Sequence, residues 1–107
     1  MKLVLAIVSN DDTGSVIKAL AKEKFQTTKL ATTGGFLSKG NSTLITGCED
    51  DDVQKVLDII GSQSKKRTEI VPTTAPFDSS EIISAPIEVT VGGATVFVLN
   101  VEQFYKI

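Results

Sequence analysis

The chain has 107 residues, a formal charge of −2, 41% hydrophobic residues, one cysteine and no histidine. That length fits one compact domain spanning 1–107, and the slightly acidic balance argues against nucleic acid or an anionic membrane surface as a partner. Without histidine there is no imidazole acid–base catalysis, Ser-His-Asp triad or His-ligated zinc, and Cys48 alone builds neither a disulfide framework nor a thiolate metal site.

The first segment, KLVLAIVS (2–9), is an apolar run of strand length, rich in β-branched residues and closed by polar NDD. A first β-strand explains it better than a signal peptide, because no small-residue cleavage site follows. No apolar run approaches the roughly 18 residues of a membrane span, so a cytoplasmic protein is the expectation. From 13 to 25 the period changes. Val16, Ile17, Leu20, Ala21 and Phe25 recur at helical spacing, with Lys18, Lys22, Glu23 and Lys24 opposite them. Asp11, Asp12 and Thr13 offer capping oxygens and negative charge at the start of this helix.

QTTKLATT (26–33) reads as a half-exposed strand and STLITGC (42–48) as another, close enough to pair as a hairpin. EDDDVQKVLDIIGS follows as the second helix. Its stripe is Val53, Val56, Leu57 and Ile60, three acids stand at its start, and Gly61 stands where a C-cap is expected. Residues 62–86 hold all three prolines and no helical period, which predicts a long loop of the kind that is functional or disordered. IEVTV (87–91) and ATVFVL (94–99) return to β character, separated by a glycine pair that allows a hairpin or a bulge. The tail NVEQFYKI is expected to pack its apolar residues on a neighbouring surface.

The predicted fold class is α+β, with the β-α-β-β-α-β order of a ferredoxin-like domain plus an extra strand near the end. Two helices cover one face of such a sheet. The other face is left for a partner, and an exposed apolar sheet face implies oligomerisation.

The densest concentration of permissive residues is ATTGGFLSKGN (31–41). Gly34, Gly35 and Gly40 serve a turn through positive φ, or they let backbone N–H groups approach a phosphate or base closely. Phe36 is suited to stacking on a base and Asn41 to reading a base edge with donor and acceptor together. No Walker or dinucleotide fingerprint is present. The other candidate features have plainer explanations. Cys48 is a small buried hydrophobe and the Asn41-Ser42-Thr43 sequon is chance. Asp50–Asp52 read as helix N-terminal acids ahead of a divalent-cation site, and Lys65, Lys66 and Arg67 as a solvated stretch of loop ahead of a group that steers an anionic ligand.

The residues KLATTGGFLSKGNSTLITGCEDDDV and IEVTVGGATVFVLNVEQF together resemble the PII-like cyclic-di-AMP receptor proteins of Gram-positive bacteria, over nearly the whole chain. TVFVLNVE is also similar to the last core strand of PII signalling proteins in general. The resemblance implies a homotrimer of ferredoxin-like subunits without catalysis, holding cyclic di-AMP between neighbouring subunits and signalling to a downstream protein. Carried over by position, it implies that Thr28, Gly35, Phe36, Leu37, Asn41, Gly47 and Phe97 line the ligand pocket. Phe36, Leu37 and Phe97 would make apolar contact. Asn41 and main-chain groups near Gly35 and Gly47 would read polar edges, and Thr28 would bond the base or a phosphate. This chain departs from the pattern at Gln26, where relatives tend to carry a basic residue, and at SNDD, where they carry QDQD.

Other readings follow from the same residues. A PII-type ATP or ADP sensor is disfavoured by the short inter-strand loop without basic residues for a triphosphate. An enzyme is disfavoured by the lack of a paired nucleophile and base. A purely structural assembly protein is the reading if no ligand binds.

Overall fold

The computed structural model describes residues 1–30, 40–71 and 87–107. Strand β1 (Lys2–Ser9) leads directly into helix α1 (Asn10–Lys22). Strand β2 (Thr27–Leu30) and strand β3 (Asn41–Cys48) precede a 3-10 turn (Asp50–Asp52) and helix α2 (Val53–Gln63). Then come β4 (Arg67–Val71), β5 (Ile87–Val91) and β6 (Ala94–Asn100).

The main sheet has the order β2-β3-β1-β6 with every neighbouring pair antiparallel. This is the ferredoxin-like arrangement, with β6 as its fourth strand. Its helix-facing side is set by alternation: Val4, Ala6 and Val8 of β1 and Leu44 and Cys48 of β3 are buried. They meet Val16 and Leu20 of α1 and Val56 and Ile60 of α2 in one apolar core. Thr46 on this side is satisfied by a 2.9 Å hydroxyl contact with Thr27 across the strand pair.

Several local expectations need correction. Helix α1 starts at Asn10 and not at 13, because Ser9 is the N-cap: its side chain accepts a bond from the Asp11 N–H, 3.3 Å away. Thr13 turns inward and donates to the Ser9 carbonyl at 3.1 Å. The helix ends at Lys22. Lys24 takes a left-handed conformation (φ 69°) that turns the chain, and the Phe25 N–H returns to the Leu20 carbonyl at 2.9 Å. Gly61 lies inside α2, which runs on to Gln63 with Ser64 as C-cap.

The largest correction concerns 62–86. Arg67–Val71 is a strand, and IEVTV pairs with it in a separate two-stranded sheet instead of joining the main one. The glycine pair between β5 and β6 is therefore neither a tight hairpin nor a bulge. It passes the chain from one sheet to the other. Gly92 and Gly93 have φ of 87° and 82°, and a Cβ on Gly92 would run into the Lys65 carbonyl oxygen. The Gly93 N–H donates to the carbonyl of Ser64.

Arg67 is not part of a solvated basic stretch. It forms a two-pronged bond with Asp12 at 2.9 and 3.3 Å and also donates to the Lys65 carbonyl at 3.1 Å. Asp12 is 6% exposed. The inserted hairpin is thus held at its base by an ion pair to α1 and a backbone bond to the end of α2.

Candidate functional site

The face of the main sheet turned away from the helices carries the odd-numbered positions of β1, β3 and β6 and the even-numbered positions of β2. The register places Phe97, Leu5, Ile45 and Thr28 in one row across four strands. Leu99, Leu3 and Gly47 make the row on one side of it, and Thr95, Ile7, Thr43 and Leu30 the row on the other. No helix covers these residues: Phe97 is 53%, Leu99 46% and Leu30 41% exposed. In β1, Leu3, Leu5 and Ile7 are half-buried. The result is an apolar, β-branched and aromatic face in water, far from the usual surface of a monomer.

Thr28, Asn41, Gly47 and Phe97, four of the seven residues expected in the pocket, lie on this one face. Gly35, Phe36 and Leu37 lie outside the described residues, as does most of ATTGGFLSKGN. Thr28 and Gly47 line the same cavity of about 370 Å³, together with Met1, Leu3, Gln26, Ile45, Val101 and Phe104. Its wall is apolar apart from Gln26 and Thr28, so it accepts a flat apolar group with a few polar edges. Phe104 was not among the expected residues. The tail reaches this place because the Val101 N–H bonds the Met1 carbonyl at 3.2 Å, extending the line of β6 beside β1. A second cavity of about 560 Å³ shares Gln26 and Thr28 with the first and is lined also by Ile17, Ala21, Lys24, Phe25 and Thr27.

Asn41 is not brought to these cavities. It stands at the opposite end of β3 from Gly47, about 20 Å along the strand. It lines a smaller cavity of about 270 Å³ with Ile7, Lys66, Gly92, Gly93, Ala94 and Thr95. Its position is fixed from both sides by Asn10, whose N–H bonds the Gly40 carbonyl at 3.0 Å and whose side chain takes the Ser42 hydroxyl. Gly40 does not adopt positive φ, contrary to expectation. Glycine fits there because a Cβ would lie only 3.3 Å from the Asn10 amide nitrogen.

Cys48 is buried at the end of β3. Burial pushes its thiol pKa up, and the carboxylates of Asp52, Asp50 and Glu49 push it further. The residue is a core hydrophobe, with no thiolate to attack a substrate. Asp50 is drawn to the N-terminal ammonium at 3.0 Å, whose hydrogen bond holds its carboxyl below the ordinary carboxylate range. No helix among the described residues is long and apolar enough to cross a membrane.

Comparison with known proteins adds two findings. The model of a family described as cyclic-di-AMP receptor matches residues 1–107. A crystal structure of a functionally unknown protein from Pediococcus pentosaceus ATCC 25745 is similar in sequence and fold. It is 42% identical, with a TM-score of 0.74 over 99% of this chain and 96% of that one.

Proposed function

The chain belongs to the cyclic-di-AMP receptor family, and we propose that it is a non-catalytic cytoplasmic receptor that binds cyclic di-AMP between the subunits of a homotrimer. The observation that carries this reading is the uncovered sheet face. Its apolar rows need a partner, and Thr28, Asn41, Gly47 and Phe97 share it. Within one chain, Asn41 and the Thr28–Gly47 cavity are too far apart to touch one base. A site made at a subunit boundary lets one copy's Asn41 end meet another copy's Thr28–Gly47 end. A ligand with two adenines and two phosphodiesters is long enough to use both.

In this reading Phe97 and the walls of the Thr28 cavity take up the apolar surface of adenine, while Asn41 and Thr28 pair with its polar edges. Gly35, Phe36 and Leu37, which lie between β2 and β3 in sequence, complete the set of ligand residues, and a downstream protein reads the bound state. The chain acts as a single unit throughout.

Calorimetric titration tests the proposal. Cyclic di-AMP is expected to bind the wild type, and ATP and cyclic di-GMP much more weakly. Asn41→Ala is expected to lose about ten- to a hundredfold in affinity, the cost of leaving a base edge unpaired at roughly 1–3 kcal/mol. A folded wild type that takes ATP in preference to cyclic di-AMP is instead a PII-type nucleotide sensor.

A further inference from the structure

We propose that Lys66 and the Gly92–Gly93 corner form an anion-binding subsite that takes a phosphate oxygen of the nucleotide. For the identity of the nucleotide this rests on the function proposed above; the subsite itself rests on the geometry of the corner.

Three observations converge there. First, Lys66 lines the cavity that also holds Asn41, Thr95 and both glycines. The cation and the Thr95 hydroxyl thus share a pocket large enough for a phosphate group. Second, the local carboxylates are engaged elsewhere. Arg67 holds Asp12 at 2.9 Å and approaches Glu69 at 3.9 Å. Among the described residues no acid forms a salt bridge with Lys66, which is exposed and lines the cavity.

Third, the corner is built to stay in place. Gly92 and Gly93 are held left-handed, Gly93 bonds to Ser64, and a Cβ on Gly92 has no room. The Lys66 stem lies against Gly93: a Cβ there would be in ordinary contact with Lys66 Cε at 3.8 Å, which places the lysine side chain beside the corner. A lysine is a point charge suited to a phosphodiester, which offers its charge on two non-bridging oxygens. The Thr28–Gly47 cavity has no lysine or arginine among its lining residues and presents neutral Gln26. At the opposite end, Lys66 supplies a cation within the lining of the Asn41 cavity itself.

Two measurements decide the matter. In calorimetry with cyclic di-AMP, Lys66→Gln is expected to bind at least tenfold more weakly, with a shallower dependence of affinity on salt. Lys66→Arg should restore most of the loss, and Lys65→Gln, whose side chain does not line the cavity, should match the wild type. Equal affinity and equal salt dependence for wild type and Lys66→Gln would overturn the subsite.

The second measurement is amide chemical shifts on titration with inorganic phosphate. Shifts at Gly92, Gly93 and Thr95 are expected in the wild type and not in Lys66→Gln. If the wild type ignores cyclic di-AMP yet shows these Lys66-dependent shifts, the subsite stands and the proposed function falls. Absence of both responses overturns the two together.

Discussion

Cys48 illustrates how position decides a residue's chemistry. It closes β3 on the helix-facing side at 5% exposure, with acids of the following turn nearby. Its raised pKa keeps it a thiol at neutral pH, and burial keeps reagents away. Iodoacetamide is expected to leave the folded protein unmodified at pH 7.5 and to alkylate it promptly once unfolded in guanidinium. Rapid labelling of the native state would contradict this placement. Asn41 shows the converse. It sits at the exposed first position of β3, between two residues anchored on Asn10, so its truncation should act on ligand affinity with little effect on the fold.

At the scale of elements, two ion pairs join parts distant in sequence. Glu23, just after α1, meets Lys55 of α2 at 2.8 Å. The hydrogen bond and then the charge of Lys55 lower the Glu23 pKa, and the same contacts raise that of Lys55. A depressed carboxyl contributes stability above its unfolded value of about 4.3 and loses it as pH falls through the lower folded value. A raised amine contributes below about 10.4 and loses it as pH rises through the higher folded value. The denaturation midpoint of the wild type should therefore exceed that of Glu23→Gln between about pH 5 and pH 10. The gap should be small, because the pair is exposed, and should close at both extremes. A gap that persists below pH 2 would assign the effect to something other than charge.

The second pair, Arg67–Asp12, has a different job. It fastens the β4–β5 hairpin to α1, and its removal leaves Asp12 almost wholly buried without its guanidinium. In Arg67→Ala, amide hydrogen exchange in β4 and β5 should accelerate much more than exchange in β1 and β3, since the apolar core is untouched. Uniform acceleration would mean that the hairpin and the main sheet open as one unit.

For the whole molecule, the balance between the two sheet faces is decisive. One is sealed by α1 and α2 around Leu20, Val56 and Ile60; the other leaves Leu3, Leu5, Ile7, Ile45 and Phe97 without a helix. At roughly 25 cal/mol per Å² of apolar area, covering that face with sister subunits is a large favourable term. Light scattering of the wild type is expected to return the mass of a trimer. Leu5→Glu places a charge in the middle of the proposed interface and should return a monomer that keeps its circular dichroism spectrum. A wild type of monomeric mass would remove the trimer from the proposal.

How much of this the sequence alone determined follows from the range of each interaction. Strand β1, the core stripes of both helices and the pairing of β2 with β3 were legible because alternation and helical spacing are properties of neighbouring residues. The same periodicity placed Val16, Leu20, Val56 and Ile60 in the core and left one sheet face uncovered. Asn41 was legible from its amide beside a glycine-rich stretch, whereas Gly47 and Phe97 were reachable only through family resemblance, since no local pattern marks them.

The tertiary structure decided the rest. Ser9 displaced Asp11, Asp12 and Thr13 as the cap because a side chain at the very end of a strand can turn back onto the next helix. Strand β4 was hidden in a polar, proline-bearing stretch because its stability comes from β5, sixteen or more residues further on, and from the ion pair to Asp12. Lys66 shares a cavity with Asn41, and Phe104 with Thr28 and Gly47, only because the segment after α2 and the tail after β6 are folded back onto the ends of the main sheet. Local propensity cannot specify such contacts: they depend on how a backbone of fixed period is folded against itself.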